Sequence, residues 1–111
     1  MKLFRINDMT RGWFVGNFSP TVHATGDFEV GYREYPANHP PDPHYHPVVT
    51  EINLIVHGRM RLHDQILTAG DIFVLDPWEI SNAEYLETTG IVCVKYPSMN
   101  DKQLIEIRDP E

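Results

Sequence analysis

The residues best placed to do chemistry in this 111-residue chain are two histidines and a glutamate, in His44-Tyr45-His46-Pro47-Val48-Val49-Thr50-Glu51. Side chains of an extended chain alternate between faces, so histidines at i and i+2 project from the same side. A carboxylate five residues further on can return to that side after a short turn. Two imidazoles and one carboxylate converging on a point suit a divalent transition metal such as zinc, iron, nickel or manganese.

The elements that must position these groups read as short strands. Asp27 to Arg33 alternates, with Phe28, Val30 and Tyr32 sharing one face. Glu51 to Val56, Asp71 to Leu75 and Gly90 to Tyr96 are apolar and rich in β-branched or aromatic residues, and Gly12 to Gly16 reads as another strand. Between them lie Pro36 to Pro43, Gly58, Thr68-Ala69-Gly70 and Asp76-Pro77, all turn or breaker signals. No segment sustains a 3.6-residue apolar period, and the Asp101 to Arg108 tail reads equally as a helical turn or a last strand. Strands of this size at this spacing predict an all-β fold, a sandwich or small antiparallel barrel.

The length fits one domain with its own core. Hydrophobic residues make up 41% of the chain and charged residues 23%, the balance of an ordinary globular protein. No apolar run approaches the roughly 20 residues of a membrane span, and Met1 to Arg5 does not open a signal peptide. The only cysteine, Cys93, lies in the apolar run Ile91 to Val94 and reads as a buried, inert thiol. A cytoplasmic setting is the expectation. Nine Lys and Arg against 16 Asp and Glu give a formal charge of −7, with no basic cluster in the sequence. Such a surface repels phosphate backbones, so neither nucleic acid nor membrane is expected as a partner.

The pattern His-x-His-x4-Glu-x6-Gly, formed by His44, His46, Glu51 and Gly58, resembles the first signature of the cupin superfamily. That resemblance implies a double-stranded β-helix, or jelly roll, in which the two histidines end one strand, the glutamate begins the next and all three point inward. Asn38 stands where the family pattern has its first glycine, a mild change because Asn tolerates positive φ. Gly70 to Pro77 looks like the opening of the second signature, which is otherwise degenerate. Aligned on Gly70, the usual fourth ligand histidine falls at Ser81, the usual glycine at Trp78 and the closing asparagine at Tyr85. The implied ligand set is therefore His44, His46 and Glu51. The resemblance implies a barrel core over residues 26–97, preceded by N-terminal strands over 1–25 and followed by a tail over 98–111.

Other residues bear on the cavity. Glu79 and Tyr32 are the candidates for a catalytic acid or base; the competing readings are a solvated loop for Glu79 and core packing for Tyr32. Asn53 and Ile55 share the parity of Glu51, and an inward Asn needs a partner. Tyr45 should face away. Trp13 and Trp78 could wall the mouth, His39 reads as a surface loop residue and His57 as a rim residue on the parity of Glu51. Three functions fit: a metal-dependent enzyme on a small polar metabolite, with sugars among the candidates; a metal-free sugar isomerase or epimerase with a histidine base and tyrosine acid; or a non-catalytic barrel holding a small ligand. Apolar N-terminal residues beyond one barrel's needs, Leu3, Phe4 and Trp13 to Val15, predict a homodimer with residues 1–25 as a possible arm.

Overall fold

The computed structural model describes residues 1–106; Arg108 and the rest of 107–111, the end of the expected tail, lie outside the described residues. The backbone is all-β. Ten strands run in chain order: β1 (Trp13–Val15), β2 (Glu29–Tyr35), β3 (His44–Tyr45), β4 (Thr50–His57), β5 (Arg59–Leu62), β6 (Gln65–Thr68), β7 (Ile72–Leu75), β8 (Glu84–Tyr85), β9 (Thr89–Tyr96) and β10 (Gln103–Leu104). A single 3₁₀ turn, Ile6–Asp8, precedes them, and no helix among the described residues is long and apolar enough to cross a membrane.

The strands form three antiparallel sheets: β1-β2-β9-β4-β7, β6-β5-β8 and β10-β3. Pairing is dominated by β9, whose eight residues lie between β2 and β4. Its neighbours are far away in sequence, the connectivity of a jelly roll. Positive φ marks the punctuation the sequence supplied: Asn38 at +64°, Gly58 at +98° and Gly70 at +91°. At Gly58 a Cβ would stand 2.4 Å from Thr88 O, so the β4–β5 turn accepts no side chain.

The apolar core is Ile55, Met60, Leu62, Leu75 and Ile91, where the large sheet faces β5 and β6. Burying these side chains contributes about 1.5–3 kcal/mol each. The core fills one end of the fold. The other end, closed by β3 and β10, is polar, and the tail ambiguity resolves there: Gln103–Leu104 pairs with His44–Tyr45 as a last strand.

Two parity assignments need correction. On β2 the inward positions are Glu29 and Gly31, both buried, continuing to Arg33 and Tyr35 in the cavity wall; Phe28 is exposed and Tyr32 lies on its outward parity. Alternation with apolar residues inward fails because this strand faces a polar cavity. On β4 a register shift between Ile55 and His57 moves His57 off the parity of Glu51. His57 instead meets Glu34 Oε1 at 3.0 Å and Tyr32 Oη at 3.2 Å, half exposed. The Tyr32 hydroxyl is thus tied down outside the cavity.

Candidate metal centre

The polar end holds a cavity of about 250 Å³. His44 enters from β3, His46 from the loop just after it, and Glu51 from the second position of β4. Their ligand-capable atoms lie within 4.8 Å of one another. The imidazole rings of His44 and His46 stand perpendicular, at 88°, with centroids 5.4 Å apart. His46 Nε2 is 3.4 Å from Glu51 Oε2. Ligand atoms about 2.1 Å from a tetrahedral ion stand roughly 3.4 Å apart, so this pair already has the spacing of two ligands on one ion.

The outer contacts decide which nitrogens are free. His44 Nδ1 lies 2.7 Å from Asp42 O, and a carbonyl only accepts, so Nδ1 carries the proton and Nε2 the lone pair. His46 Nδ1 lies 2.7 Å from Asp101 Oδ1, while Asp101 Oδ2 accepts from Val48 N at 2.8 Å and Val49 N at 3.0 Å. Burial alone would raise the Asp101 pKa, but the Val49 N–H, His46 and the Val48 N–H outweigh it and hold the carboxyl below its ordinary range. An ionised Asp101 fixes the His46 proton on Nδ1 and frees Nε2 toward Glu51. Glu51 Oε1 in turn accepts from Asn53 Nδ2 at 3.1 Å, which gives this buried amide its partner. Each of the three side chains is thereby oriented by an outer partner, the arrangement typical of metal-binding imidazoles; the chemistry of the set fits a divalent transition ion.

Ser81 lies directly across from His44, to which it is bonded in both directions (Ser81 N to His44 O 2.8 Å, His44 N to Ser81 O 3.0 Å), and it lines the cavity. The position aligned with a fourth ligand is therefore in place, with a hydroxyl on it. Trp78 adopts φ +74° where the family pattern has glycine. Its N–H donates to His46 O at 2.8 Å and its ring stacks on Tyr45 at 5.5 Å, so both side chains point away from the cavity. Glu79 stays in its own turn, where Oε1 accepts from Asp76 N at 3.1 Å, and it does not line the cavity.

Sequence reasoning passed over several cavity residues. Asp101 is 55 residues from His46 and reaches it only through the β3–β10 pairing, so no local signal marks it. Tyr35 and Tyr85 stack at 4.5 Å in the cavity wall, with His39 edge-on to both. His39 therefore packs against this wall and is not a free surface side chain. Burial pushes the pKa of both tyrosines and of the Cys93 thiol up, so all three stay protonated at neutral pH.

No protein-family model matches this sequence, and no curated protein does. Solved structures do resemble the chain. A conserved protein with a double-stranded β-helix domain from Klebsiella pneumoniae superposes with TM-score 0.67 and 19% identity, over 96% of this chain and 99% of that one. An RmlC-like cupin from Ralstonia eutropha gives TM-score 0.57 and 18% identity, over 76% of this chain and 59% of that one. The fold is the double-stranded β-helix of the cupins. A variant of Streptomyces PAC13 bound to uridine gives TM-score 0.61 and 14% identity, over 77% of this chain and 73% of that one. The cupin resemblance in the first motif therefore extends to the whole fold, and a His-His-Glu cluster sits in its cavity.

Proposed function

We propose that this chain is a small cupin that holds one divalent transition ion through His44 Nε2, His46 Nε2 and Glu51 and receives a small polar metabolite beside it. The observation that carries this reading is the fixed pair of tautomers: Asp42 O and Asp101 each hold a proton on Nδ1, so both lone pairs are free for the cavity. A cavity of about 250 Å³ is smaller than the 300 Å³ or more of drug-sized pockets and suits a ligand of metabolite size. PAC13, similar in fold, was solved with uridine, which supports a small molecule as the occupant. The ion would supply Lewis acidity. The chain's own groups would orient the ligand, exclude water and hold protons on Tyr35 and Tyr85. The test is calorimetric titration of metal-stripped, tag-free protein with Zn²⁺, Ni²⁺ and Mn²⁺. One equivalent should bind, and the double variant His44→Ala, His46→Ala should bind none at that site; absence of binding by wild type refutes the reading.

The protonated Tyr35 and Tyr85 in the same cavity favour a second reading, a metal-free isomerase or epimerase with a tyrosine acid. Activity that survives full metal removal would select it, and ligand binding without turnover would select a non-catalytic barrel. We also infer a homodimer. Leu3, Phe4 and Ile6 are exposed at the N-terminus, as are Leu54, Val56, Ile72 and Val74 on the outer face of β4 and β7. A monomer in sedimentation at micromolar concentration contradicts this. A cytoplasmic setting accords with a single, buried cysteine.

A further inference from the structure

The cavity is positively charged inside a negatively charged protein. Four of the nine Lys and Arg residues line it, Arg11, Arg33, Lys95 and Lys102, against two carboxylates, Asp42 and Glu51. Two of the four cations are neutralised. Lys102 Nζ lies 2.6 Å from Asp42 Oδ2. Lys95 Nζ lies 3.1 Å from the buried Glu29 Oε1, an ion pair without hydrogen-bond alignment, and sits over the Trp13 ring. Among the described residues Arg11 and Arg33 have no carboxylate partner.

The Arg33 side chain and the Arg11 backbone are each held in place. The guanidinium of Arg33 stands 5.6 Å over the Tyr35 ring. Arg11 sits in the tight turn Thr10–Trp13, where Arg11 and Gly12 have φ of +51° and +84° and Trp13 N donates to Thr10 O at 3.1 Å. Gly12 O accepts from Tyr32 N at 3.0 Å, which presses this turn onto β2. A Cβ at Gly12 would lie 2.0 Å from Tyr32 O, so only glycine lets this turn seat against the strand that carries Arg33, and both arginines line the one cavity. Two guanidinium groups that line one cavity without a carboxylate within ion-pair distance are stabilised when an anion joins them.

We propose that Arg11 and Arg33 form an oxyanion-binding pole in the same cavity as His44, His46 and Glu51, so that the natural ligand is a small metabolite bearing a carboxylate or a phosphate. This substrate class rests on the reading of the cavity as the ligand site, but not on the metal. The arginines grip the anionic group while the polar remainder of the ligand faces the His-Glu cluster.

The test follows the arginine Nε–H signals by NMR during titration with sodium acetate and with inorganic phosphate to 50 mM at constant ionic strength. It uses wild type and the double variant His44→Ala, His46→Ala, in which neither anion can ride on a metal. Saturable shifts of Arg11 and Arg33 are expected in both proteins. Affinity should fall at least about tenfold in Arg11→Gln, an exposed turn position that threatens no core packing, and in Arg33→Gln. Saturation by acetate assigns a carboxylate ligand, and saturation by phosphate alone a phosphate ester. No saturation by either anion, or undiminished binding in Arg11→Gln, overturns the proposal. Saturable binding in the histidine variant alongside failure of wild type to bind metal would remove the metal reading and leave the anion pole standing.

Discussion

Asp101→Asn separates orientation of a ligand from mere packing. The native carboxylate accepts three hydrogen bonds, from His46 Nδ1 at 2.7 Å and from Val48 N and Val49 N at 2.8 and 3.0 Å. Asparagine has one oxygen. Two backbone N–H groups outbid one imidazole for it, so the amide NH₂ turns toward His46. Two donors cannot face each other, and His46 must then accept at Nδ1 and carry its proton on Nε2, the atom required for the metal. Loss of an outer partner of a metal-bound imidazole typically costs about 10–100-fold in affinity, equivalent to about 1.4–2.8 kcal/mol. The tautomer switch places Asp101→Asn at the upper end. The fold loses less, about 1–2 kcal/mol, because both backbone donors keep an acceptor. Asp101→Ala strips all three donors and should cost the metal-free protein about 3 kcal/mol or more. Competitive chelation gives the affinity, denaturant melts of metal-free protein the stability, and ¹⁵N shifts of His46 the tautomer. Metal affinity within about threefold of wild type in Asp101→Asn would show that Asp101 is not what sets the His46 lone pair.

Three further outcomes follow from the same contacts. Asp101 is held below its ordinary range as described above, and Asp42 is held low by the Lys102 hydrogen bond, despite partial burial. A depressed carboxyl stabilises the fold above its unfolded pKa of about 3.9 and loses that contribution as pH falls toward the folded value; melting of metal-free protein should therefore drop steeply below about pH 4, less so in Asp101→Asn. Ser81→His puts an imidazole opposite His44 and should tighten metal binding about tenfold or more; unchanged affinity by competitive chelation means that the new ring does not reach the ion. Trp78→Gly relieves a left-handed backbone worth about 1–2 kcal/mol and gives up a stack on Tyr45 worth about 0.5–1.5 kcal/mol, so stability should change by no more than about 1.5 kcal/mol, and a loss above about 3 kcal/mol in denaturant melts would contradict this balance.

The sequence made the His44, His46 and Glu51 group legible because strand parity and a short turn hold it within eight residues. The breaks at Asn38, Gly58 and Gly70 were legible because positive φ is written in residue type. Asp101 was not, since β3 and β10 are far apart in the chain and nothing local distinguishes its carboxylate. The inward face of β2 was misread for a physical reason: apolar alternation locates a core, and this strand spends its inward positions on a polar cavity with Arg33 and Tyr35. The bulge that turns His57 outward carries no signal of its own between two β-branched residues and a glycine. Arg11 and Arg33, 22 positions apart, line one cavity because Gly12 lets a turn close against β2.

The most direct test is anomalous diffraction from crystals of tag-free protein grown with one equivalent of Zn²⁺. A single peak is expected in the cavity, about 2.0–2.2 Å from Nε2 of His44 and of His46, with a Glu51 oxygen completing the protein ligands and both Nδ1 atoms still on Asp42 O and Asp101. A peak beside His57 and Glu34, or imidazoles that meet the ion through Nδ1, would contradict the account.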